Sequence, residues 1–590
     1  MAGRKKQSLL NGALVLVLAT AFVEIIGVLY KIPLTELIGT MGRGYTGTAF
    51  NIYIPVYNIA MAGLPVAISK LVAQSVAEGH FNNVKKIFRI AFWLFFGAGA
   101  IGTVVLLILA YPYAKSMQAT ESLPSIFMIA PAVFVCCVMA TYRGYYSGLR
   151  NQNPSAISQM FEVVGKLAFG LGLAYVVQRY GMSCFEQGLP VYGVECATEA
   201  EAVMALTPYA AAASIFGVTM GAVCSLLFLV IRHKIVGDKI TPEELASSPK
   251  ADTGKNIAKL MFAIAVPVVV STLVMNITNL IDSWAIQYRL QYAIDSDLSV
   301  ISNMYREALS IAAKMDNVQL KSYLYGAYEI ALDFRNLVPT ITTTLGMSAI
   351  PVLAEAWTLK NKLMIRSSIE SVMRIAMLIS LPAGIGMAIL SRDLLNIMYG
   401  MSDSISISAT VMALYGCFTF IMAAAQPLIN MLQAIGRADI PMKSVSIAAV
   451  VKVVVNFILI GIPGINIMGA IIGTFCFYLI TVSVNINALI KETGVRLNYK
   501  SVFFKPLFCA LMCGLAAWAT TGLCKHFIPA FEYGSRVSNN TLSAIIGIVA
   551  AVLVYVLALL FTKTIVREDV KMLPKGEKIC KILEKYDLIG

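Results

Sequence analysis

The chain has 590 residues, of which 58% are hydrophobic and only 13% charged, with a net charge of +14 and a mean hydropathy of +0.76. Soluble globular chains average roughly 45–50% apolar and about 25% charged residues, so this composition excludes an ordinary soluble domain and points to a membrane protein. The positive charge does not argue for nucleic acid, because neither a basic face nor a recognised binding module accompanies it; basic loops beside anionic lipid account for it.

In chain order, MAGRKKQ precedes an apolar run from Leu9 to Tyr30. That run is too long for the h-region of a signal peptide and reads as the first membrane helix. A crossing helix needs about 20 apolar residues. By that measure the sequence gives an all-α polytopic membrane protein with fourteen expected spans: 9–30, 46–75, 87–110, 123–147, 155–178, 205–231, 257–283, 324–356, 368–391, 406–433, 442–461, 465–489, 504–527 and 541–562. The alternating ten-residue segments of a β-barrel are missing from the sequence. With the N-terminus inside, most Lys and Arg fall on inner loops and tails, beginning with Arg4, Lys5, Lys6, Lys85, Lys86 and Arg89. The positive-inside rule then puts both termini in the cytoplasm of a multi-pass plasma-membrane protein. The outer loop 179–204 is acidic, with Glu186, Glu195, Glu199 and Glu201. Cys184 and Cys196 flank this loop; a disulfide between them would contribute on the order of 3 kcal/mol, and two free thiols are the alternative.

An internal repeat organises these spans. Leu64-Pro65-Val66-Ala67 in the second span matches Ile350-Pro351-Val352-Leu353 in the eighth. Pro154, after Gly148-Leu149-Arg150-Asn151, matches Pro441, after Ile435-Gly436-Arg437-Ala438. Both pairs are about 286 residues apart. The expected organisation is an N-terminal lobe at 1–233, a cytoplasmic linker at 234–256 and a C-terminal lobe at 257–490. A two-span appendage at 491–562 and a basic cytoplasmic tail at 563–590 follow. Six spans per lobe insert both copies in one orientation, related by a pseudo-twofold axis along the membrane normal.

The charges inside spans are the candidate functional residues, because an ionised residue at mid-bilayer costs about 2.5–3.5 kcal/mol on insertion scales. Lys166 lies about 18 Å along its helix from Pro154, near the midplane. Lys452 stands at a similar depth after Pro441. Glu162 and Lys166 are spaced i,i+4 and can neutralise each other in an internal ion pair; alternatively Lys166 and Lys452 line a wet cavity and attract an anion. Glu24, Asp333 and Arg335 are also deep. Lys70 and Arg143 sit near the inner end, where snorkelling is the plain reading, and Lys31 and Arg43 read as loop charges. Asn276, Asn279 and Asp282 on the seventh span could offer oxygens to Na⁺ or a proton, or could simply hold helices together. His80, His233 and His526 have no metal-ligand spacing. No phosphate-binding loop or nucleophile–base constellation is present, so neither a cofactor nor an enzymatic reaction is expected.

GLPVAISKLVA (63–73) followed by YRGYYSGLRNQNPSAISQMFEVVGK (142–166) resembles the oligosaccharide and lipid flippases of the MOP superfamily. The resemblance covers about residues 9–490. It is closest to the polysaccharide biosynthesis proteins of the stage V sporulation protein B group, relatives of the MurJ lipid II flippase. It implies two six-helix lobes plus a terminal pair, and alternating-access transfer of an undecaprenyl-pyrophosphate-linked saccharide, such as the peptidoglycan precursor, to the outer leaflet. The cavity of such proteins is cationic. Arg335 resembles the basic residue of the family's eighth helix, and Lys31 lies near a basic position late in the first. Glu24 departs from the pattern, standing where MurJ has a basic residue, and no basic residue occupies 50–58. The implied partners are the bilayer, the lipid-linked oligosaccharide and cell-wall synthesis proteins, with Na⁺, H⁺ or the membrane potential as the driving force. A MATE-like drug exporter, which would need an acidic cavity, and a non-transporting wall scaffold are the alternatives.

Overall fold

Residues 9–61, 64–306, 315–400, 404–529, 532–533, 537–564 and 566 are described by the structure, a computed structural model. Apart from one hairpin, in which Glu532–Tyr533 pairs with Val537–Ser538, the long elements are helices. Ten helices among the described residues are long and apolar enough to cross a membrane. They cover the third to sixth and ninth to fourteenth expected spans. Their outward faces are greasy: Trp93, Ile101 and Ile108 are 64%, 67% and 67% exposed. An apolar surface of that extent belongs against lipid rather than water, and the chain is a multi-pass membrane protein.

The contacts divide the chain into two units, residues 1–288 and 289–590. The first contains α1 (Leu9–Met61), α2 (Leu64–Ala77), α3 (Phe81–Ser116), α4 (Leu123–Gly148), α5 (Asn153–Glu186), α6 (Glu199–Ile235), α7 (Pro242–Ser247) and most of α8 (Gly254–Ser296). Its core centres on α4, which buries Ile126, Ile129, Val133 and Cys137 together with Ile68, Phe95 and, from α8, Met261. A helix apolar on every side must be surrounded.

Two expectations about the helices are corrected. The stretch 31–45 is not a loop; it is part of α1, which breaks at Gly39, where φ is 65°. Only glycine adopts that backbone without strain. Lys31 and Arg43 are therefore helix residues, and Arg43 is buried. The eighth expected span is likewise not one helix: α10 (Asn317–Arg335) ends and α11 (Leu337–Thr358) begins around Asn336.

The second unit adds α9 (Leu298–Met304), α12 (Lys362–Tyr399), α13 (Ile405–Ala434), α14 (Asp439–Ile460), α15 (Gly469–Thr493), α16 (Lys505–Phe527) and α17 (Asn539–Phe561). Here α13 is the surrounded helix, burying Met412, Tyr415, Met422, Leu428 and Met431. It corresponds in order to α4 in the first unit. The last two helices are tied to α12: Cys513, Ala517 and Ala551 share a cluster with Leu390. Lys525 Nζ also pairs with Asp393 Oδ1 at 2.8 Å.

The linker after α6 is folded rather than loose. Asp238 is buried, accepting from Lys85 Nζ at 2.7 Å and from the Tyr145 hydroxyl at 2.6 Å. Asn82 Nδ2 donates to the carbonyls of Leu245, Ser248 and Pro249, and Asn83 exchanges two hydrogen bonds with Asp252. Thr241 and Glu244 close a capping box on α7, satisfying two otherwise orphaned amides. Burial pushes the Asp238 carboxyl up, but its bonds to Lys85, Tyr145 and Ile240 N–H outweigh this and hold it below the usual carboxylate range. A carboxyl depressed in the folded state stabilises fully above its unfolded value of about 4 and loses that contribution as pH falls through the folded value. Asp238→Asn should cost about 1–2 kcal/mol at neutral pH, discounted because Lys85 is half exposed. The difference should vanish in strong acid. Thermal unfolding of both proteins across pH in detergent reads this directly.

Candidate substrate site

In the first unit the candidate residues lie where α1, α4, α5 and α6 meet. The approach of α5 to α6 is set by glycine. A Cβ on Gly221 would collide with Glu162 O and stand 2.9 Å from Lys166 N; one on Gly217 would collide with Gly170 Cα and stand 2.9 Å from Lys166 O. Small residues let membrane helices meet backbone to backbone. This seam fixes the positions of Glu162 and Lys166.

Lys166 is half-buried, its Nζ over the Tyr30 ring at 5.1 Å and the Phe50 ring at 5.9 Å. Ring faces hold an ammonium electrostatically. The carboxylate one turn back is engaged elsewhere: Glu162 Oε2 accepts from Arg143 Nη2 at 2.8 Å. The same guanidinium donates to Ser158 Oγ at 2.9 Å and Ser225 Oγ at 3.1 Å. Arg143 therefore does not snorkel to an interface; it links α4, α5 and α6 from within. The spacing of Glu162 and Lys166 could not disclose this. Ser158 lies one turn before Glu162 on the same face, the only local hint of a shared partner. Ser225 and Tyr30 carried no such signal.

In the second unit, Lys452 on α14 is half-buried. A Cβ on Gly473 of α15 would collide with Asn456 Oδ1 and stand 3.2 Å from Lys452 O. Each unit thus sets a lysine carbonyl against a glycine of the following helix. Arg335 closes α10, with its guanidinium carbon 5.4 Å from the centre of the Tyr415 ring and its Nε donating to Asn336 Oδ1 at 3.2 Å. Asp333 accepts from the Tyr399 hydroxyl at 2.8 Å. Lys166 and Lys452 belong to different units.

The other expected residues divide as follows. Lys31 is half-buried on α1, and its carbonyl accepts from Thr35 Oγ1. The Glu24 side chain lies outside the described residues. Asn276 and Asp282 are buried whereas Asn279 is exposed. Asn276 Oδ1 accepts from Asn58 Nδ2 at 3.1 Å, a bond between helices α1 and α8. No group of three His, Cys, Asp or Glu able to hold a metal occurs among the described residues. Cys184 and Cys196 are free thiols, so the disulfide is not formed in this structure. Both pack on the cluster of Val191 and Leu206. A bridge pairing Val191 with Val194 shapes the loop between them.

Residues 9–190 match the polysaccharide biosynthesis protein family and residues 320–458 match the MatE family. Stage V sporulation protein B of Bacillus subtilis (strain 168) is 24% identical over 96% of this chain and 98% of its own length. The lipid II flippase MurJ of the same organism is 24% identical over 80% of each chain. Among solved structures, the inward closed conformation of MurJ superposes with a TM-score of 0.53 at 14% identity, covering 92% of this chain and 98% of that one. An inward-facing MATE family transporter of the MOP superfamily does so with a TM-score of 0.50, again at 14% identity, over 80% and 99%. At that identity the superpositions establish the fold. Residues 9–190 and 320–458 thus carry matches to two related families, and the chain is homologous to stage V sporulation protein B along almost its whole length and to MurJ over 80% of it.

Proposed function

We propose that the protein is a flippase for a polyprenyl-pyrophosphate-linked saccharide, with the peptidoglycan precursor lipid II as the substrate to test first. The observation that carries this reading is the lysine at similar depth in each half, Lys166 and Lys452. An ammonium kept at that depth despite its insertion cost suits an anionic headgroup. In this reading Lys166 in the first unit, and Lys452 and Arg335 in the second, each offer charge-assisted hydrogen bonds to pyrophosphate oxygens, and α16 and α17 offer the surface for the polyprenyl tail. The chain sits in the plasma membrane with both termini in the cytoplasm, alternates access between its lobes, and uses Na⁺, H⁺ or the membrane potential. It is a transporter rather than an enzyme, and it works beside cell-wall synthesis proteins.

Likeness to MurJ, and coverage of almost the whole of stage V sporulation protein B, support the substrate class. The drug-exporter reading requires a cavity that favours cations. Among the described residues, the carboxylate in the α4–α6 site, Glu162, is already bound by Arg143. Purified protein in vesicles carrying defined fluorescent lipid-linked sugars tests the proposal. Transfer of lipid II or another pyrophosphate-linked sugar between leaflets, above protein-free vesicles, is expected. Transfer of none of them, together with conferred resistance to cationic drugs, would replace this reading with the exporter.

A further inference from the structure

The Arg143–Glu162 pair has a feature that a fixed structural clamp does not need. The guanidinium is anchored twice without the carboxylate, by Ser158 Oγ at 2.9 Å and Ser225 Oγ at 3.1 Å. Arginine carries five N–H donors and keeps its proton under all ordinary conditions, so it stays oriented if Glu162 lets go. Glu162 is the more accessible partner, its side chain 34% exposed against 20% for Arg143. It also lies one helical turn from Lys166, whose ammonium sits over the Tyr30 and Phe50 rings.

We propose that Glu162 is a proton-exchange site that stands in for the substrate anion. A proton from water bonds to a Glu162 carboxylate oxygen, the ion pair opens, and a phosphate oxygen of the headgroup takes the vacated place on Arg143 beside Lys166. When the headgroup leaves, Glu162 returns its proton to water and re-forms the pair. The identity of the anion rests on the flippase reading above; the proton site on Glu162 does not.

The surroundings support this exchange. From α1, the Tyr53 and Tyr57 hydroxyls lie within electrostatic range of Glu162, and from α4 so do Cys136 and Arg143. Its own helix supplies Lys166. On α6 the facing groups are the Ser225 hydroxyl and, beside Gly165, the Cys224 thiol, while Arg232, two turns further, stacks over Tyr146 at 4.8 Å. Among the described residues, Arg143 is the cation bonded to Glu162. An incoming phosphate drawn to Arg143 sets a second anion beside the carboxylate. Like charge at short range disfavours the ionised form, so anion binding and proton uptake favour each other. Linkage makes the effect reciprocal, and couplings of this kind change affinity roughly 5–150-fold.

Two measurements on the full-length chain in detergent test the proposal. The first needs no ligand: the infrared difference spectrum between about pH 8 and about pH 4. A protonated-carboxyl band that E162Q lacks is expected; a difference spectrum identical in wild type and E162Q overturns the proposal. The second is calorimetric binding of farnesyl pyrophosphate in buffers of different ionisation enthalpy. Wild type should take up a proton with the ligand and bind about tenfold more tightly in acid. E162Q should bind with no proton uptake and no such pH dependence, an outcome that a merely structural pair would not produce. Binding without proton uptake in wild type overturns the proton exchange and leaves the flippase reading intact. The glutamate band with no pyrophosphate binding at any pH overturns the flippase reading, and the anion half of this proposal falls with it.

Discussion

Replacing Lys166 and Lys452 together with alanine should abolish transport while leaving the protein folded in the membrane. In the account above, these two amines supply charge to the headgroup from the two halves of the chain. A charge-assisted hydrogen bond from an amine to a phosphate contributes roughly 1.5–3 kcal/mol. Losing both removes about 3–6 kcal/mol of headgroup recognition, a weakening on the order of a hundredfold or more. Each single variant should retain partial function. Folding should survive, because both lysines are only half-buried and alanine suits a helix interior. Complementation of a flippase-depleted strain, with membrane levels measured in parallel, checks this. Normal growth of the double variant at normal protein levels would count against the anion site.

Gly221→Val should prevent folding. The added Cβ alone collides with the Glu162 carbonyl and presses on Lys166 N, and both are backbone atoms of a neighbouring helix that cannot swing aside. Relief requires separating α5 from α6 along the seam that Gly165, Gly170, Gly217 and Gly221 share. Overpacking of this kind costs about 3 kcal/mol or more. Gly172→Val on α5 is the matched control, since nothing lies within 4 Å of its added Cβ. Size-exclusion profiles from solubilised membranes should show monodisperse Gly172→Val and little or no folded Gly221→Val. Equal recovery of both would mean that the helices do not meet as closely as described.

The contrast between these sites shows how far the residues themselves disclosed the architecture. The apolar runs under α3 to α6 and α12 to α17 were legible because each is long and greasy enough to satisfy bilayer thickness by itself. Residues 31–45 were not. Their polar appearance conceals Leu34, Ile38, Met41 and Tyr45 at helical spacing, all buried against neighbours. Hydropathy averages over a helix and is blind to one face of it. The same limit hid the partner of Glu162. Local spacing offers Lys166, one turn away, whereas the structure supplies Arg143 from α4. Ion-pair choice is a tertiary fact, decided by which helix the glycine seam brings close. The three-residue recurrence of Asn276, Asn279 and Asp282 said nothing of their burial, which differs: Asn276 and Asp282 are buried and Asn279 is exposed.

The central claim is that amines from both halves stand in water at bilayer depth. Cysteine placed at 166 and at 452, in a chain otherwise freed of cysteine, reads it most directly. A membrane-impermeant, charged thiol reagent added to vesicles should modify both positions, and pyrophosphate-linked substrate should slow both reactions. Two thiols that stay unreacted from either side of the membrane, while cysteine at the exposed position 239 reacts, would contradict the account.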